Sequence, residues 1–373
     1  MNVQPGRIAA PRELFRSDDL LVRRRGGFGG NVCYVTFDSY TDNRTLDRQG
    51  FGELYFDGRG IDAIHVLSCD NRWYQYDELP RALAAIASAT RNYERVIAYG
   101  SSMGGFAALH YGSACGATIG IALSPQYSVD PAVVPFERRW ADDAARIAFR
   151  DHDIPALETE YIVYDPRDAH DRRHFALFAA RAPVEGIEVP HGGHPVAAYL
   201  SETGLLGPLL EATEAGALDA AAFTAELRRR RRRSGHYFSI MAERTPPYRA
   251  RQKVALAELA VRTQEDNAVY HSQLAVALDA AGEHERAYPV HRRAIEMTGG
   301  GVHQHHKLVL HLEQRGELGR AIELAEQLVA DHPDVLWLPR LCQRLRRKRR
   351  HSHWAGRVAR MLGLDPLLDQ LSG

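Results

Sequence analysis

Strand-like and helix-like segments alternate through the first 200 residues. Six runs are apolar and rich in residues that favour strands: 31–38, 61–69, 95–100, 117–124, 160–165 and 186–190. Helical patterns lie between or after them, at 78–94, 105–114, 171–182 and 195–212. Near-continuous apolar strands alternating with helices predict an α/β fold, with a parallel sheet covered by helices on both faces. The segment 131–155 breaks this rhythm, and we expect a small cap over the sheet edge there.

The run AYGSSMGGFAALHYG contains the pattern G-x-S-x-G with Ser102 at its centre. A strand-like run ends at this motif and a helix-like run follows at once, which is the context of a serine held on a strained turn. Gly100 and Gly104 are needed because the tight turn leaves no room for a Cβ. A phosphate-binding loop is disfavoured, since no lysine occurs in the first 212 residues. An inert turn remains the alternative.

A serine nucleophile also needs a base and an orienting acid further along the chain. The segment EYIVYDPRDAHD offers Asp165, Asp168 and Asp171, and GIEVPHGGHPVAAYL offers His191 and His194. Each segment begins with a predicted strand. Some of these residues also fit purely structural roles. Asp165 can close a turn, Asp171 resembles the N-cap of the next helix, and His191 can orient its loop.

With a serine, an acid and a histidine in this order, each after a predicted strand, residues 1–212 resemble the α/β-hydrolase superfamily. The resemblance implies that Ser102 is the nucleophile and that His194, which precedes a helix, is the base. It implies Asp168 as the acid, about three residues past its strand, with Asp165 as the second choice.

The same resemblance implies an oxyanion hole built from two backbone N–H groups. One belongs to Met103, directly after the nucleophile, and the other lies near Asp38 or Ser39, after the strand-like run CYVTFD. Many lipases carry a glycine-rich loop where this second donor lies. That loop is missing after CYVTFD, so the sequence does not determine which residue is the second donor.

These residues predict a serine hydrolase that cleaves an ester or related acyl bond through an acyl-enzyme. This mechanism requires neither a metal nor an organic cofactor. The expected substrate is a small acyl or glycan-type compound. An acyltransferase that uses the same triad and a carbohydrate hydroxyl as acceptor is the closest alternative. A further alternative is a non-catalytic scaffold whose C-terminal part mediates protein interaction.

A 34-residue repeat appears in the C-terminal part of the chain. LAVALDAAGEHERAYPVHRRA begins at Leu274, and LVLHLEQRGELGRAIELAEQL begins at Leu308. Matching positions at this offset include Leu278 and Leu312, Gly282 and Gly316, and Ala287 and Ala321. The period and the small alanine resemble the tetratricopeptide repeat over roughly residues 240–373. That resemblance implies recognition of a protein partner or a polymeric substrate, and a generic array of helical hairpins is the alternative.

Charge divides the chain in the same way. Residues 1–212 hold 21 Arg and Lys against 28 Asp and Glu, a net charge of −7, so the remainder carries +7. We therefore expect a catalytic domain over 1–212, a basic linker over 213–239 and a repeat domain over 240–373. The run Arg228–Arg233 could bind nucleic acid, but a solvated linker or exposed helix face explains it without such a partner.

Other features indicate a cytoplasmic protein. The four cysteines are scattered and form no CxxC pair, the N-terminal segment lacks a signal-peptide pattern, and no window holds 18 apolar residues. The histidine cluster VHQHHKL (302–308) has no further ligand at metal-binding spacing, so no metal site is expected there. The aromatic run DNRWYQY (70–76) is expected either to line a substrate crevice or to pack in the core.

Overall fold

The computed structural model describes residues 11–150, 155–333, 335 and 337–361. The chain divides into two compact units, Met1–Arg233 and Ser234–Gly373. The first contains a sheet flanked by helices and the second contains helices. Within the described residues, every helix is too short or too polar to cross a bilayer.

One eight-stranded sheet organises the first unit. Its strands are β1 (Arg12–Arg16), β2 (Leu20–Arg25), β3 (Val32–Phe37), β4 (Asp62–Ser68), β5 (Arg95–Ser101), β6 (Ile119–Leu123), β7 (Thr159–Tyr164) and β8 (Glu185–Glu188). Their order across the sheet is β1-β2-β4-β3-β5-β6-β7-β8. The six strands from β4 to β8 are parallel, whereas β1 and β2 pair in antiparallel fashion. The predicted strands are therefore present, and the mostly parallel sheet is confirmed.

The helices of the first unit follow the predicted alternation. They are α1 (Glu53–Arg59), α2 (Leu79–Thr90), α3 (Met103–Tyr111), α4 (Ala141–Ala144), α5 (Ala169–Arg181), α6 (Ala197–Glu202), α7 (Leu206–Glu214) and α8 (Ala220–Arg230). The helix expected over 195–212 is divided into α6 and α7 around Gly204, which has a positive φ of 68°. The expected cap over 131–155 contains only the short α4, and its residues 151–154 lie outside the described part of the chain.

The two antiparallel strands were missed by the sequence analysis because their pattern is interrupted by arginines. Leu20, Leu21 and Val22 of β2 are buried, but the strand continues into three arginines. Arg23 forms an ion pair with Glu53 of α1, at 2.6 Å between Nη2 and Oε2. Arg25 pairs with Asp57 of the same helix. Two of the three charges are thus neutralised by α1, a tertiary contact that has no local sequence signal.

The predicted basic linker over 213–239 is replaced largely by helix. Asp219 caps α8 by accepting a hydrogen bond from the Ala222 amide, and Phe223 and Leu227 are buried. Arginine favours helices, so a run of arginines can extend α8 instead of forming a linker. The boundary between the two units therefore falls at Arg233 and Ser234.

The second unit consists of antiparallel helical pairs. Its helices are α9 (Gly235–Glu243), α10 (Ala250–Thr263), α11 (Ala268–Ala280), α12 (His284–Met297), α13 (Val302–Gln314), α14 (Leu318–Asp331) and α15 (Leu338–Met361). The repeated glycines, Gly282 and Gly316, take positive φ values of 77° and 74° in the turns between paired helices. The repeated alanines, Ala287 and Ala321, are fully buried. The 34-residue period thus corresponds to the pairs α11–α12 and α13–α14.

Candidate active site

Ser102 lies on a sharp turn between β5 and α3. Its φ of 53° and ψ of −117° place a non-glycine residue in a rare, strained backbone conformation. The turn is held from two sides, because the Ser102 amide donates to the Leu123 carbonyl of β6 at 2.8 Å and its carbonyl accepts from the Phe106 amide at 2.9 Å. The side chain is therefore presented at the carboxyl edge of the parallel strands.

The glycines of the motif are required by close backbone packing. A Cβ on Gly100 would lie 2.2 Å from the Gly104 carbonyl oxygen, and a Cβ on Gly104 would lie 2.2 Å from the Phe37 carbonyl oxygen. No real Cβ contact is that short. Both positions therefore exclude any other residue while this turn is kept.

His194 connects Ser102 to a carboxylate. Its Nε2 lies 2.9 Å from Ser102 Oγ, and its Nδ1 lies 2.8 Å from Asp171 Oδ1. Because a carboxylate can only accept, Nδ1 carries the hydrogen and donates to Asp171. Nε2 is then the acceptor for the serine hydroxyl. The histidine side chain is 11% exposed, so the imidazole can meet a ligand at the surface.

Asp171 lies in the first turn of α5, and its side chain is 1% exposed. Burial raises the pKa of this carboxyl, but the charge and hydrogen bond of His194 and the charge of Arg139 outweigh burial, so the pKa lies below its usual range. Arg139 Nη1 lies 3.7 Å from Asp171 Oδ1. The carboxylate therefore stays ionised beside the imidazole.

Asp168 and Asp165, the acids expected from sequence, accept hydrogen bonds from backbone amides. Asp168 is the N-cap of α5, and its Oδ1 accepts from the amides of His170 and Asp171 at 2.9 and 3.0 Å. Asp165 accepts from the amides of His191 at 3.1 Å and Gly193 at 2.9 Å. The capping role expected for Asp171 therefore belongs to Asp168, and Asp171 takes the position beside His194 instead.

The expected oxyanion donors differ in their availability. Met103 is the first residue of α3, so its amide has no acceptor within the helix. The Asp38 amide, in contrast, donates to the Val66 carbonyl at 3.2 Å, which removes Asp38 as a donor. Ser39 lies beside the nucleophile strand, because its hydroxyl donates to the Ser101 carbonyl at 2.9 Å. Ser39 therefore remains as the second expected donor.

Gln126 is a polar contact of Ser102 that the sequence did not predict. Its Nε2 donates to Ser102 Oγ at 3.0 Å and lies 3.2 Å from His194 Nε2. Its orientation is fixed by Trp73, whose Nε1 donates to Gln126 Oε1 at 3.3 Å. The residue follows β6, the neighbour of β5. Its place after that strand is the signal that could have found it, because parallel strands end at one edge of the sheet.

Aromatic side chains surround the histidine. Tyr40 and Trp140 have ring centroids 4.7 Å apart, Trp73 and Trp140 lie 5.6 Å apart, and Trp140 lies 6.4 Å from His194. Of the aromatic run 70–76, the side chains of Trp73, Tyr74 and Tyr76 are all buried in the core of the unit, and Trp73 also contacts Trp140. The expectation of core packing therefore applies to this run, and these buried rings do not line a substrate crevice.

The segment before α4 contributes Arg139, which lies beside Asp171. Glu137 forms an ion pair with Arg139, at 2.6 Å between Oε2 and Nη2. The Glu137 carboxylate also accepts from His174 Nε2 at 3.0 Å, and His174 Nδ1 accepts from the Tyr127 amide at 3.1 Å. Arg139 is thus held at a fixed distance from Asp171.

A cavity of about 720 Å³ lies elsewhere in the first unit, between α2 and α3. Its lining includes Tyr76, Leu83 and Tyr111, but none of Ser102, Asp171 or His194. Since no reacting group reaches it, this cavity is not the space in which the Ser102 hydroxyl would meet a ligand.

No protein-family model matches the chain, and no curated protein is similar to it in sequence. Solved structures that are similar to it include a capsule O-acetyltransferase of Neisseria meningitidis serogroup A, with 12% identity, a TM-score of 0.37 and coverage of 50% of this chain and 88% of that chain. A dienelactone hydrolase from Anabaena variabilis has 13% identity, a TM-score of 0.36 and coverage of 54% and 95%. An esterase from Pyrococcus furiosus has 14% identity, a TM-score of 0.36 and coverage of 58% and 92%. At such scores these likenesses carry no argument about function, which depends on the geometry around Ser102.

Proposed function

We propose that this protein is a serine-dependent acyl hydrolase that cleaves an ester or a related acyl bond. One observation carries the proposal, namely the continuous hydrogen-bonded series from Ser102 Oγ to His194 Nε2 at 2.9 Å and from His194 Nδ1 to Asp171 Oδ1 at 2.8 Å. A serine, a histidine and a carboxylate in this arrangement can activate the hydroxyl as a nucleophile. In this proposal Asp171, rather than Asp168, is the orienting acid.

The first half of the reaction forms an acyl-enzyme. Ser102 Oγ attacks the carbonyl carbon while its proton passes to His194 Nε2, and the carbonyl π electrons move to the oxygen to give a tetrahedral oxyanion. Asp171 stabilises the resulting imidazolium and keeps Nδ1 protonated. When the oxyanion collapses, the bond to the leaving oxygen breaks, and His194 returns the proton to that oxygen.

The second half releases the acyl group. His194 takes a proton from water, the hydroxide oxygen attacks the acyl carbon, and collapse of the second oxyanion returns the proton to Ser102 Oγ. The developing negative charge would be stabilised by the amides of Met103 and Ser39. The Gln126 amide group, 3.0 Å from Ser102 Oγ, is a third donor that this chain can supply.

Transfer to a carbohydrate hydroxyl is a second candidate for the release step. Trp140 lies 6.4 Å from His194 and Tyr40 lies 4.7 Å from Trp140. Both of these aromatic side chains are partly exposed, and sugar rings pack against aromatic faces through their C–H groups. A sugar hydroxyl at this position would replace water as the acceptor of the acyl group. The two reactions share the acyl-enzyme and differ only in the species that His194 deprotonates.

Labelling with a fluorophosphonate probe tests the nucleophile. We expect the purified full chain to take one label, and Ser102→Ala to take none. Ser101→Ala is a matched control, because Ser101 is adjacent and buried and its hydroxyl has no hydrogen-bond partner among the described residues. It should label like the original chain. If the original chain neither takes the label nor hydrolyses p-nitrophenyl acetate, the enzyme proposal is wrong.

The acceptor is tested separately. The full chain is incubated with p-nitrophenyl acetate and an oligosaccharide, and the acetylated product is measured by mass spectrometry beside free acetate. Acetylated sugar that depends on Ser102 supports transfer, whereas acetate alone supports hydrolysis.

We also propose that the second unit is a tetratricopeptide-like array that serves recognition of a partner or a substrate. The support is the close packing at the repeated alanines, of which Ala321 is fully buried. Ala321→Leu should lower the melting temperature more than Ala330→Leu, because Ala330 lies on the same helix and is exposed. Equal effects would contradict close packing at the repeated alanine.

A further inference from the structure

Three histidines surround one buried carboxylate in the second unit. Asp279 of α11 accepts from His284 Nδ1 at 3.0 Å and from His311 Nδ1 at 2.6 Å, both at Oδ1, and from His291 Nε2 at 2.8 Å at Oδ2. His284 and His291 belong to α12, and His311 belongs to α13. The cluster thus joins three helices, and the acyl-transfer mechanism uses none of its residues.

The donor atoms of three of these residues converge on one point. A carboxylate oxygen of Asp279, Nδ1 of His284 and Nδ1 of His311 all lie within 4.8 Å of one another. Around a tetrahedral zinc ion with bonds of about 2.0 Å, ligand atoms are separated by about 3.3 Å. The observed spacings of 2.6 and 3.0 Å therefore need only a small expansion to admit an ion.

Two of the histidines share one oxygen of the carboxylate. His311 is fully buried, and its Nδ1 faces Asp279 Oδ1. Both His284 and His311 direct a nitrogen at the same Asp279 oxygen, so that one atom must accept two protons. A metal ion between the three atoms would bind each Nδ1 through its lone pair, and the hydrogen of each imidazole would then be carried by Nε2.

The surroundings match those of a metal site. His291 is 1% exposed and holds the second oxygen of Asp279, as the outer contacts of metal-binding carboxylates do. Among the described residues, the ion pairs of Asp279 are with histidines alone. In the part of the chain that the structure describes, no arginine or lysine therefore pairs with this carboxylate.

We infer that Asp279, His284 and His311 form a binding site for a divalent transition-metal ion. Two imidazole nitrogens and one carboxylate oxygen suit Zn²⁺, which takes nitrogen and oxygen ligands in tetrahedral geometry. His284 is 34% exposed, so it leaves a path for the ion and a fourth position for water. An ion there would tie α11, α12 and α13 together across the boundary between two successive repeats.

The test measures zinc binding by the full chain without an affinity tag. The protein is treated with EDTA, dialysed, and titrated with Zn²⁺ against a chromophoric chelator. Bound metal is then counted by elemental mass spectrometry. We expect one tightly bound ion, an increase in melting temperature with Zn²⁺, and tetrahedral absorption bands when Co²⁺ replaces it.

His284→Gln is the diagnostic variant, because His284 is partly exposed at the start of α12 and its loss should not prevent folding. We expect at least 10-fold weaker binding and no zinc-dependent rise in melting temperature. His271→Gln is the matched control, since His271 lies on α11 outside the cluster and contacts the Glu265 carbonyl. It should bind zinc like the original chain.

Two results would overturn the inference. One is the absence of stoichiometric zinc in the original chain, which would leave a hydrogen-bonded cluster without a metal. The other is equal affinity in the original chain and in His284→Gln, which would assign the ion to other residues, such as the histidines at 303–306. Neither result bears on labelling of Ser102.

Discussion

Asparagine at position 171 should remove most of the activity, whereas asparagine at position 168 should not. The two substitutions are chemically identical and lie three residues apart. Asp171 accepts from His194 Nδ1 at 2.8 Å, and Asp168 accepts from the amides of His170 and Asp171. The pair therefore separates the role of the orienting acid from that of the helix cap.

The expected loss of activity in Asp171→Asn follows from the position of the imidazole hydrogen of His194. An asparagine that turns its NH₂ group to His194 donates to Nδ1, so the imidazole hydrogen moves to Nε2. Nε2 then cannot accept the proton of Ser102. In serine proteases the same change lowers kcat by roughly 10⁴-fold, which corresponds to about 5.4 kcal/mol of transition-state stabilisation. Asp168→Asn keeps a good N-cap oxygen, so we expect kcat/KM to stay within about 2-fold.

The assay is hydrolysis of p-nitrophenyl acetate, with kcat and KM measured for both variants and for the original chain. Circular dichroism and melting temperature provide the control for folding. If Asp171→Asn keeps more than a tenth of the original kcat/KM while Ser102→Ala is inactive, the role given to Asp171 is wrong. A large loss in Asp168→Asn alone would return the acid to Asp168.

Three further predictions concern packing, the oxyanion and pH. Gly104→Ala places a Cβ 2.2 Å from the Phe37 carbonyl oxygen and should lower the free energy of unfolding, measured in urea, by about 1–3 kcal/mol or more. Gly58→Ala, in open space within α1, should raise the free energy of unfolding by up to about 1 kcal/mol. Similar values for both variants would contradict the packing argument. Gln126→Ala should lower kcat on p-nitrophenyl acetate roughly 10²–10³-fold if its amide donates to the oxyanion, and a change in KM alone would exclude that role. Burial lowers the pKa of His65 to about 4, so the folded protein binds this proton more weakly than the unfolded chain. The contribution of neutral His65 to the free energy of unfolding should therefore be greatest above pH ~6.5 and should decrease as the pH drops toward 4. His65→Asn should reduce that slope, and identical slopes in urea unfolding from pH 7 to 5 would refute the assignment.

The parallel part of the sheet could be predicted because its strands are buried on both faces. β5 and β6 read as near-continuous apolar runs, and burial alone determines that pattern. β2 could not be predicted in this way, since it contains charged residues, of which Arg23 and Arg25 are neutralised by Glu53 and Asp57 of α1. Strands whose charges are paired through tertiary contacts have no periodic signal of their own.

The proximity of Ser102 and His194 could be predicted because local geometry positions both residues. The motif glycines fix the turn around Ser102, and the loop after β8 brings His194 to the same edge of the sheet. Gln126 could not be predicted from its residue type, because an amide side chain after a strand has many structural uses. Its contact with Ser102 depends on the Trp73 indole, which comes from a distant segment.

The identity of the aspartate that faces His194 depends on where α5 begins. That boundary is determined by the N-cap and by tertiary contacts as well as by the local sequence. Asp165, Asp168 and Asp171 are separated by three residues each, so each carboxylate can in principle take any of three roles. Because Asp168 caps the helix, α5 starts at Ala169, and the residue at 171 falls in its first turn beside His194. Asp165, still in the loop, then holds the amides of the histidine loop. The N-cap at Asp168 thus determines the positions of all three carboxylates. If the start of α5 is predicted one turn too late, Asp171 is assigned as the N-cap and Asp168 as the residue beside His194.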